Sequence, residues 1–211
     1  MKIHQFHYRL LITIAMFYML CVISSDLLTY KIIELGNING SASLIVFPVI
    51  YLISDMINEV YGKQLAKFLL FCSLFMEFIF DVVLSQIIYL PSPTSFKMQP
   101  AYEAILGPLP HIYWGLIIAL TISSLINISI MAWWKNKWNH RHYVLRSFCS
   151  TIIGVFFFTV IGYSIWFYDI KTLPEMIELI SVSFFSKIVI TAIMIWPSAQ
   201  IVKYIQQKSL L

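Results

Sequence analysis

Six apolar runs, near residues 10–28, 42–57, 65–90, 112–134, 148–168 and 177–197, account for most of this 211-residue chain. A helix of ~20 apolar residues crosses a hydrocarbon core of ~30 Å, so each run spans that core or nearly does. With no water at that depth to satisfy the backbone, only helices and closed barrels cross, and a barrel strand alternates apolar with polar residues. The run from Ile152 to Ile161 does not alternate. The expected fold is therefore all-α, a single polytopic membrane domain over 1–211 with six transmembrane helices. Only 11% of its residues are charged, against roughly 25% in ordinary soluble domains, and its mean hydropathy is +0.82. Six crossings leave these 211 residues no length for an appended catalytic or nucleotide-binding domain.

The basic residues orient the six runs. Lys2 and Arg9 precede the first, Lys63 and Lys67 follow the second, Lys135, Lys137, Arg141 and Arg146 join the fourth to the fifth, and Lys203 and Lys208 follow the sixth. Only Lys31, Lys97 and Lys171 fall on the other side. The positive-inside rule then places both termini in the cytoplasm of a multi-pass inner-membrane protein. The net charge of +4 reflects this topology signal, and no nucleic-acid partner is expected. Trp133, Trp134 and Trp138 at one interface and Trp166 and Tyr168 at the other fit aromatic belts. Pro91, Pro93, Pro100, Pro108 and Pro110 are expected to keep the longest connection non-helical. The basic start followed by an apolar run imitates a signal peptide. Because Ile23-Ser24-Ser25-Asp26 lacks a small-x-small cleavage site, a retained first helix is expected.

Motifs for soluble chemistry are missing. The chain contains no G-x-x-x-x-G-K-[ST], H-E-x-x-H or G-x-S-x-G, so neither P-loop hydrolysis nor these two hydrolytic chemistries are expected. Cys21, Cys72 and Cys149 are isolated within apolar runs and form neither a disulfide framework nor a metal-ligand spacing. His140-Arg141-His142 lies among basic residues without acidic or thiolate companions. No metal and no cofactor are expected. Asn39-Gly40-Ser41 satisfies the glycosylation sequon, a triplet that arises easily by chance.

Five charged residues stand at membrane depth: Asp55, Glu59, Glu77, Asp81 and Lys187. Each costs ~2.5–3.5 kcal/mol there even on a lenient insertion scale, so each is expected to face a cavity or a partner. Asp55 and Glu59 are four apart, as are Glu77 and Asp81, so each pair shares a helix face. Two carboxylates on one face favour a proton, a cation or a hydrogen-bond-donating ligand. Lys187 is the one deep cation expected to balance them; Asp26 and Glu34 read equally as loop charges or as groups near an outer mouth. The second run is short, holds Pro48 and ends on Asp55 and Glu59, which marks it as the place for a functional irregularity.

The stretch from Phe47 to Gly62, FPVIYLISDMINEVYG, resembles the signature F-P-x-x-Y-x-x-x-D-x-x-x-E-V-Y-G of the queuosine precursor transporter family, also called the vitamin uptake transporter family, at every fixed position. Arg146 with Ser150-Thr151, and Lys187 with Pro197, are also similar to that family. The resemblance implies a six-helix fold similar to the substrate-binding subunits of energy-coupling-factor transporters. It implies import of 7-cyano- or 7-aminomethyl-7-deazaguanine, a small-molecule partner met in the lipid bilayer, and no enzymatic activity. By resemblance, Asp55 or Glu59 takes the base edge, Lys187 a carbonyl or the charge balance, and Tyr51 or Tyr61 packs near the pocket.

The chain departs from the family at several positions. It has Asp26 where members commonly carry Asn, His111 where they carry Arg, Asn127 where they carry Asp, and Val155 and Phe158 where they carry a Gln-x-x-Asp pair. Asp26 and Asn127 therefore join the candidate substrate-binding residues. The alternatives are queuine, another purine-like compound or another vitamin, with this chain as importer or as the binding subunit of a separate energising module. More remote is a small intramembrane enzyme using the carboxylates.

Overall fold

The computed structural model describes residues 2–29, 31–35, 38–139, 141–168 and 172–209. Helix α1 (Lys2–Leu27) leads into an antiparallel hairpin of β1 (Ile32–Leu35) and β2 (Ile38–Ser41). Then come α2 (Ser43–Tyr61), α3 (Lys63–Ile88), a short α4 (Gln99–Leu106), α5 (Leu109–Lys137), α6 (Tyr143–Phe167) and α7 (Leu173–Ser209). Six helices among the described residues are long and apolar enough to cross a membrane, and the chain is essentially all-α. The connections His140 and Lys171 lie outside the described residues, as does the side chain of Asn39.

The six helices run alternately. Tyr61 at the end of α2 donates to the carbonyl of His7 near the start of α1. At the same end Tyr143 in the first turn of α6 meets Ser198 late in α7, 2.8 Å apart. We call this the terminal end and the other the hairpin end. Ser41 Oγ donates to the Thr29 carbonyl at 2.7 Å and lies 2.8 Å from Ser43 Oγ, so one hydroxyl ties α1, the hairpin and α2 together. Four-residue strands are too short to show in a hydropathy pattern, and the hairpin is an addition to the expected fold.

Burial separates the helices. Of the apolar stretch of α2, 78% is buried, against 28% for α1 and α3 and 22% for α7. Helix α2 packs on α1, α3, α5, α6 and α7, so it is the centre of the bundle. The outer helices turn Phe17, Leu20, Phe68, Phe75, Val189 and Ile193 outward. An apolar exterior of this extent suits lipid and not water.

Two expectations are corrected. The proline-rich connection is not free of helix: α4 forms over Gln99–Leu106 with Pro100 in its first turn, and α5 starts at Leu109 with Pro110 likewise placed. A first-turn proline loses no intrahelical bond, because the leading N–H groups of a helix have no partner there anyway. Gln99 holds α4 down by donating to the Ile88 carbonyl at 2.7 Å. The second correction is Trp166, expected at an interface but only 7% exposed; its indole N–H donates to the Ile112 carbonyl at 3.1 Å. Trp133 and Tyr168 are exposed, as belt residues are.

A single residue joins α2 to α3. Gly62 has φ +92° and ψ 166°, and its N–H donates to the Ile57 carbonyl at 3.1 Å. Side-chain-bearing residues are strained at that φ, although nothing stands within 4 Å of an added Cβ. Gly62→Val is expected to cost about 1–2 kcal/mol through backbone strain alone. Thermal unfolding of the purified protein in detergent checks this; an unchanged midpoint contradicts it.

Candidate functional site

Phe47, Tyr51, Asp55 and Glu59 recur every four residues along α2, each step turning about 40° beyond a full revolution. They form a slow spiral down one side of the helix, and all four are buried. Each meets a different partner, so the spiral passes from aromatic contacts toward the hairpin end to an ion pair at the terminal end.

At the terminal end Glu59 is locked. Arg146 Nη1 donates to Glu59 Oε2 and Nη2 to Oε1, both at 3.1 Å, with Arg146 wholly buried. The remaining Nε donates to the Arg141 carbonyl at 2.8 Å. Lys135 adds a bond from Nζ to the Glu59 backbone carbonyl at 2.6 Å. A planar guanidinium gripping both carboxylate oxygens is the geometry that makes such pairs directional. Arg146, counted from the sequence as a loop cation, is thus a second deep positive charge beside Lys187. The detectable signal is its polar company on α6: Ser147, Ser150 and Thr151 share the buried side of an otherwise apolar helix.

One turn further in, Asp55 is only half satisfied. Its Oδ2 accepts from Ser147 Oγ at 2.6 Å and from Thr151 Oγ1 at 3.2 Å, while Oδ1 is buried without a partner among the described residues. Asn127 on α5 lies beside it, fully buried and close enough to interact with the same carboxylate. Gly154 makes the close approach possible: a Cβ there would stand 2.9 Å from Tyr51 Cε1 and 3.1 Å from Asn127 Cβ. The Tyr51 hydroxyl donates to Ser123 Oγ at 2.7 Å, which fixes its ring. Unpaired polar atoms at this depth are costly unless a partner is supplied.

Next along the spiral, Phe47 packs on Phe158 with ring centroids 3.9 Å apart. Lys187 Nζ sits over both, 4.7 Å from Phe47 and 4.8 Å from Phe158, and 5.7 Å from Tyr163. No acid pairs with Lys187 among the described residues; three ring faces hold the ammonium instead. Two of the three site charges, Asp55 and Lys187, therefore flank the two central rings of the spiral, and the third is spent on Arg146.

A profile of the family described as "Putative vitamin uptake transporter" matches residues 41–201, covering α2 through most of α7. The chain belongs to that family. No curated protein and no solved structure matches it. This member of the vitamin uptake transporter family is accordingly a multi-pass membrane protein of the transporter class.

The other candidate residues of this transporter fall elsewhere. Asp26 is buried in the last turn of α1, within electrostatic reach of Asp81 and Glu77 on α3, and is not an ordinary loop charge. Tyr61 is half-buried at the terminal end, bonded to His7, and His111 is exposed. Glu34 is exposed on β1. Between the start of α6 and the end of α7 a cleft of about 620 Å³ opens at the terminal end, with Glu59, Tyr143 and Gln200 among its walls. Its floor is one helical turn from Asp55.

Removing one partner of a buried ion pair leaves the other charge uncompensated, so Arg146→Met is expected to cost about 3–5 kcal/mol of stability. Replacing both, Glu59→Met with Arg146→Met, is expected to recover most of that loss. A double-mutant cycle on thermal unfolding measures the coupling. Additive single-variant losses contradict the assigned pair.

Proposed function

We propose that the chain imports a queuosine precursor, 7-cyano- or 7-aminomethyl-7-deazaguanine, across the inner membrane, with both termini cytoplasmic. The observation that carries this is the buried Asp55 carboxylate, held on Oδ2 by Ser147 and Thr151, with Oδ1 left without a hydrogen bond among the described residues and Asn127 of α5 beside it. A deazaguanine edge offers adjacent N–H donors next to a carbonyl. A carboxylate accepts the donors, an amide both donates and accepts, and the flat ring stacks on aromatic faces.

The residues then divide the work. Asp55, oriented by Ser147 and Thr151, takes the N–H edge; Asn127 completes the same edge. Tyr51 bounds the ring, and Lys187 reaches a carbonyl from its aromatic seat. Glu59 holds α2 to α6 through Arg146 and stands between Asp55 and the cleft, where Tyr61 braces the end of α2. The match of FPVIYLISDMINEVYG to the family signature supports the same substrate class.

One observation favours a neighbouring substrate. Where the family resemblance places a Gln-x-x-Asp pair, this chain has Val155 and Phe158, both buried, and Phe158 faces Lys187. With that polar pair missing, a purine-like base other than the two precursors, queuine among them, is the second reading. Competition in an uptake assay separates the two, the better competitor being the substrate.

In cells unable to make the precursor, deleting this protein is expected to abolish queuosine in tRNA when precursor is supplied at low concentration; unchanged queuosine contradicts the proposal. Asp55→Asn removes a charge-assisted acceptor worth about 1.5–3 kcal/mol, so uptake is expected to fall roughly tenfold to a hundredfold with membrane insertion intact. Undiminished uptake by that variant contradicts the role given to Asp55.

A further inference from the structure

Two clefts at the terminal end meet at the start of α6. The first, the cleft of about 620 Å³ between α6 and α7, has largely apolar walls, Leu145, Phe148, Trp196 and Val202, with Lys203 among them. The second, of about 540 Å³, lies at the turn from α5 to α6 and is lined by Lys137, Trp138, Asn139, Arg141, His142 and Leu145. His142 and Leu145 line both, so a basic cavity adjoins an apolar one.

The local structure explains why the cations gather there. Asn139 and His142 take left-handed backbone, with φ 45° and 56°, a region that Asn and His enter more readily than most side chains. Trp138 stacks on Trp134 with ring planes 1° apart and meets the His142 ring edge-on at 88°. The turn is thus held to the tryptophans that stand at the level of the lipid headgroups. Lys137 Nζ lies 4.9 Å over the Trp133 ring, while Arg141 and Lys203 are exposed. None of these three cations is ion-paired among the described residues. Glu59 is the one acid among the described walls of either cleft, and both of its carboxylate oxygens are taken by Arg146. The basic cavity therefore carries positive charge that the chain does not neutralise.

A free anion would fill the basic cavity and leave the apolar cleft beside it unused. An uncharged fatty chain would do the reverse. A molecule with an anionic head and an apolar tail fits both, and the bilayer supplies one next to the site, because Leu145 and Trp196 in the apolar wall are exposed on the outside of the bundle. Basic pockets between membrane helices recognise phosphate-bearing headgroups in this way. We propose that the two clefts form one binding site for an anionic phospholipid, its phosphate among Lys137, Arg141 and His142 and one acyl chain along Leu145, Phe148 and Trp196. Lys203 adds a second positive contact from α7, so the bound lipid bridges the start of α6 to the end of α7 beside the Tyr143–Ser198 hydrogen bond.

Native mass spectrometry of the purified full-length chain, released from detergent after equilibration with phosphatidylglycerol or phosphatidylcholine at equal concentration, tests this. No transported substrate is involved, so the outcome is independent of the import proposed above. Wild type is expected to retain phosphatidylglycerol in preference to phosphatidylcholine, and Arg141→Gln with Lys203→Gln is expected to reduce that preference roughly tenfold or more, two basic contacts being removed. The control Lys63→Gln with Lys67→Gln removes the same charge from the terminal end outside both clefts and is expected to keep the preference. Equal retention of the two lipids by wild type, or an equal loss in the control, makes the attraction a diffuse surface charge and overturns the proposal. The water-soluble headgroup glycerophosphoglycerol at the same concentration is expected to leave the lipid bound; displacement assigns the cavity to a free phosphate ester and overturns the lipid assignment. Should the double variant not fold, Lys203→Gln alone is expected to lose part of the preference, and an unchanged preference overturns the proposal equally.

Discussion

One buried ion pair sets where the rest of this bundle can sit. Glu59 and Arg146 are each almost wholly inside the protein, joined by two bonds of 3.1 Å, with Lys135 Nζ a further 4.0 Å from Glu59 Oε2; breaking such a buried pair is costly. The pair fixes the terminal end of α2 against α6. Once that contact is made, the four-residue spacing of α2 carries Asp55 to Ser147 and Thr151, and Phe47 to Phe158. Arg146 is therefore a clamp, and its bidentate grip engages both carboxylate oxygens of Glu59.

Geometry divides the buried charges by role. Glu59 and Arg146 are paired with each other through both carboxylate oxygens. Asp55 has one oxygen held and one open, which leaves an oriented acceptor with spare capacity. Lys187 is held by ring faces, with no acid paired to it among the described residues. Polar atoms left unpaired beside a rigid, fully bonded neighbour are what a pre-organised binding site looks like before its ligand arrives.

Much of the fold is legible in the sequence for a physical reason. Lipid-facing and core-facing residues are both apolar in a membrane protein, so the six crossings stand out in hydropathy whichever way they face. The same property hides which helix is central. Helix α2 has the weakest hydropathy of the six because it touches protein on every side and can carry Ser54, Asp55, Asn58 and Glu59 against polar partners. Asp55 and Lys187 are identifiable as deep charges because they lie within apolar runs. Arg146 reads as a loop charge, and Asp26 equally as a loop charge or a group near an outer mouth, because each lies near the edge of its run, where pattern alone does not distinguish an inward from an outward side chain. The hairpin and α4 escape a sequence reading because four-residue strands and a proline-led eight-residue helix leave too little periodicity to detect.

The proposed substrate recognition turns on Asp55 being the oriented acceptor for a flat, donor-bearing base. Direct binding of 7-cyano-7-deazaguanine, queuine and unrelated vitamins to the purified protein, measured by calorimetry for wild type and Asp55→Asn, addresses that claim most directly. Saturable binding of a deazaguanine-type base that is lost in Asp55→Asn while the variant stays folded is the predicted result. Equal affinity of wild type and Asp55→Asn, or binding confined to a vitamin without an N–H donor edge, would contradict it.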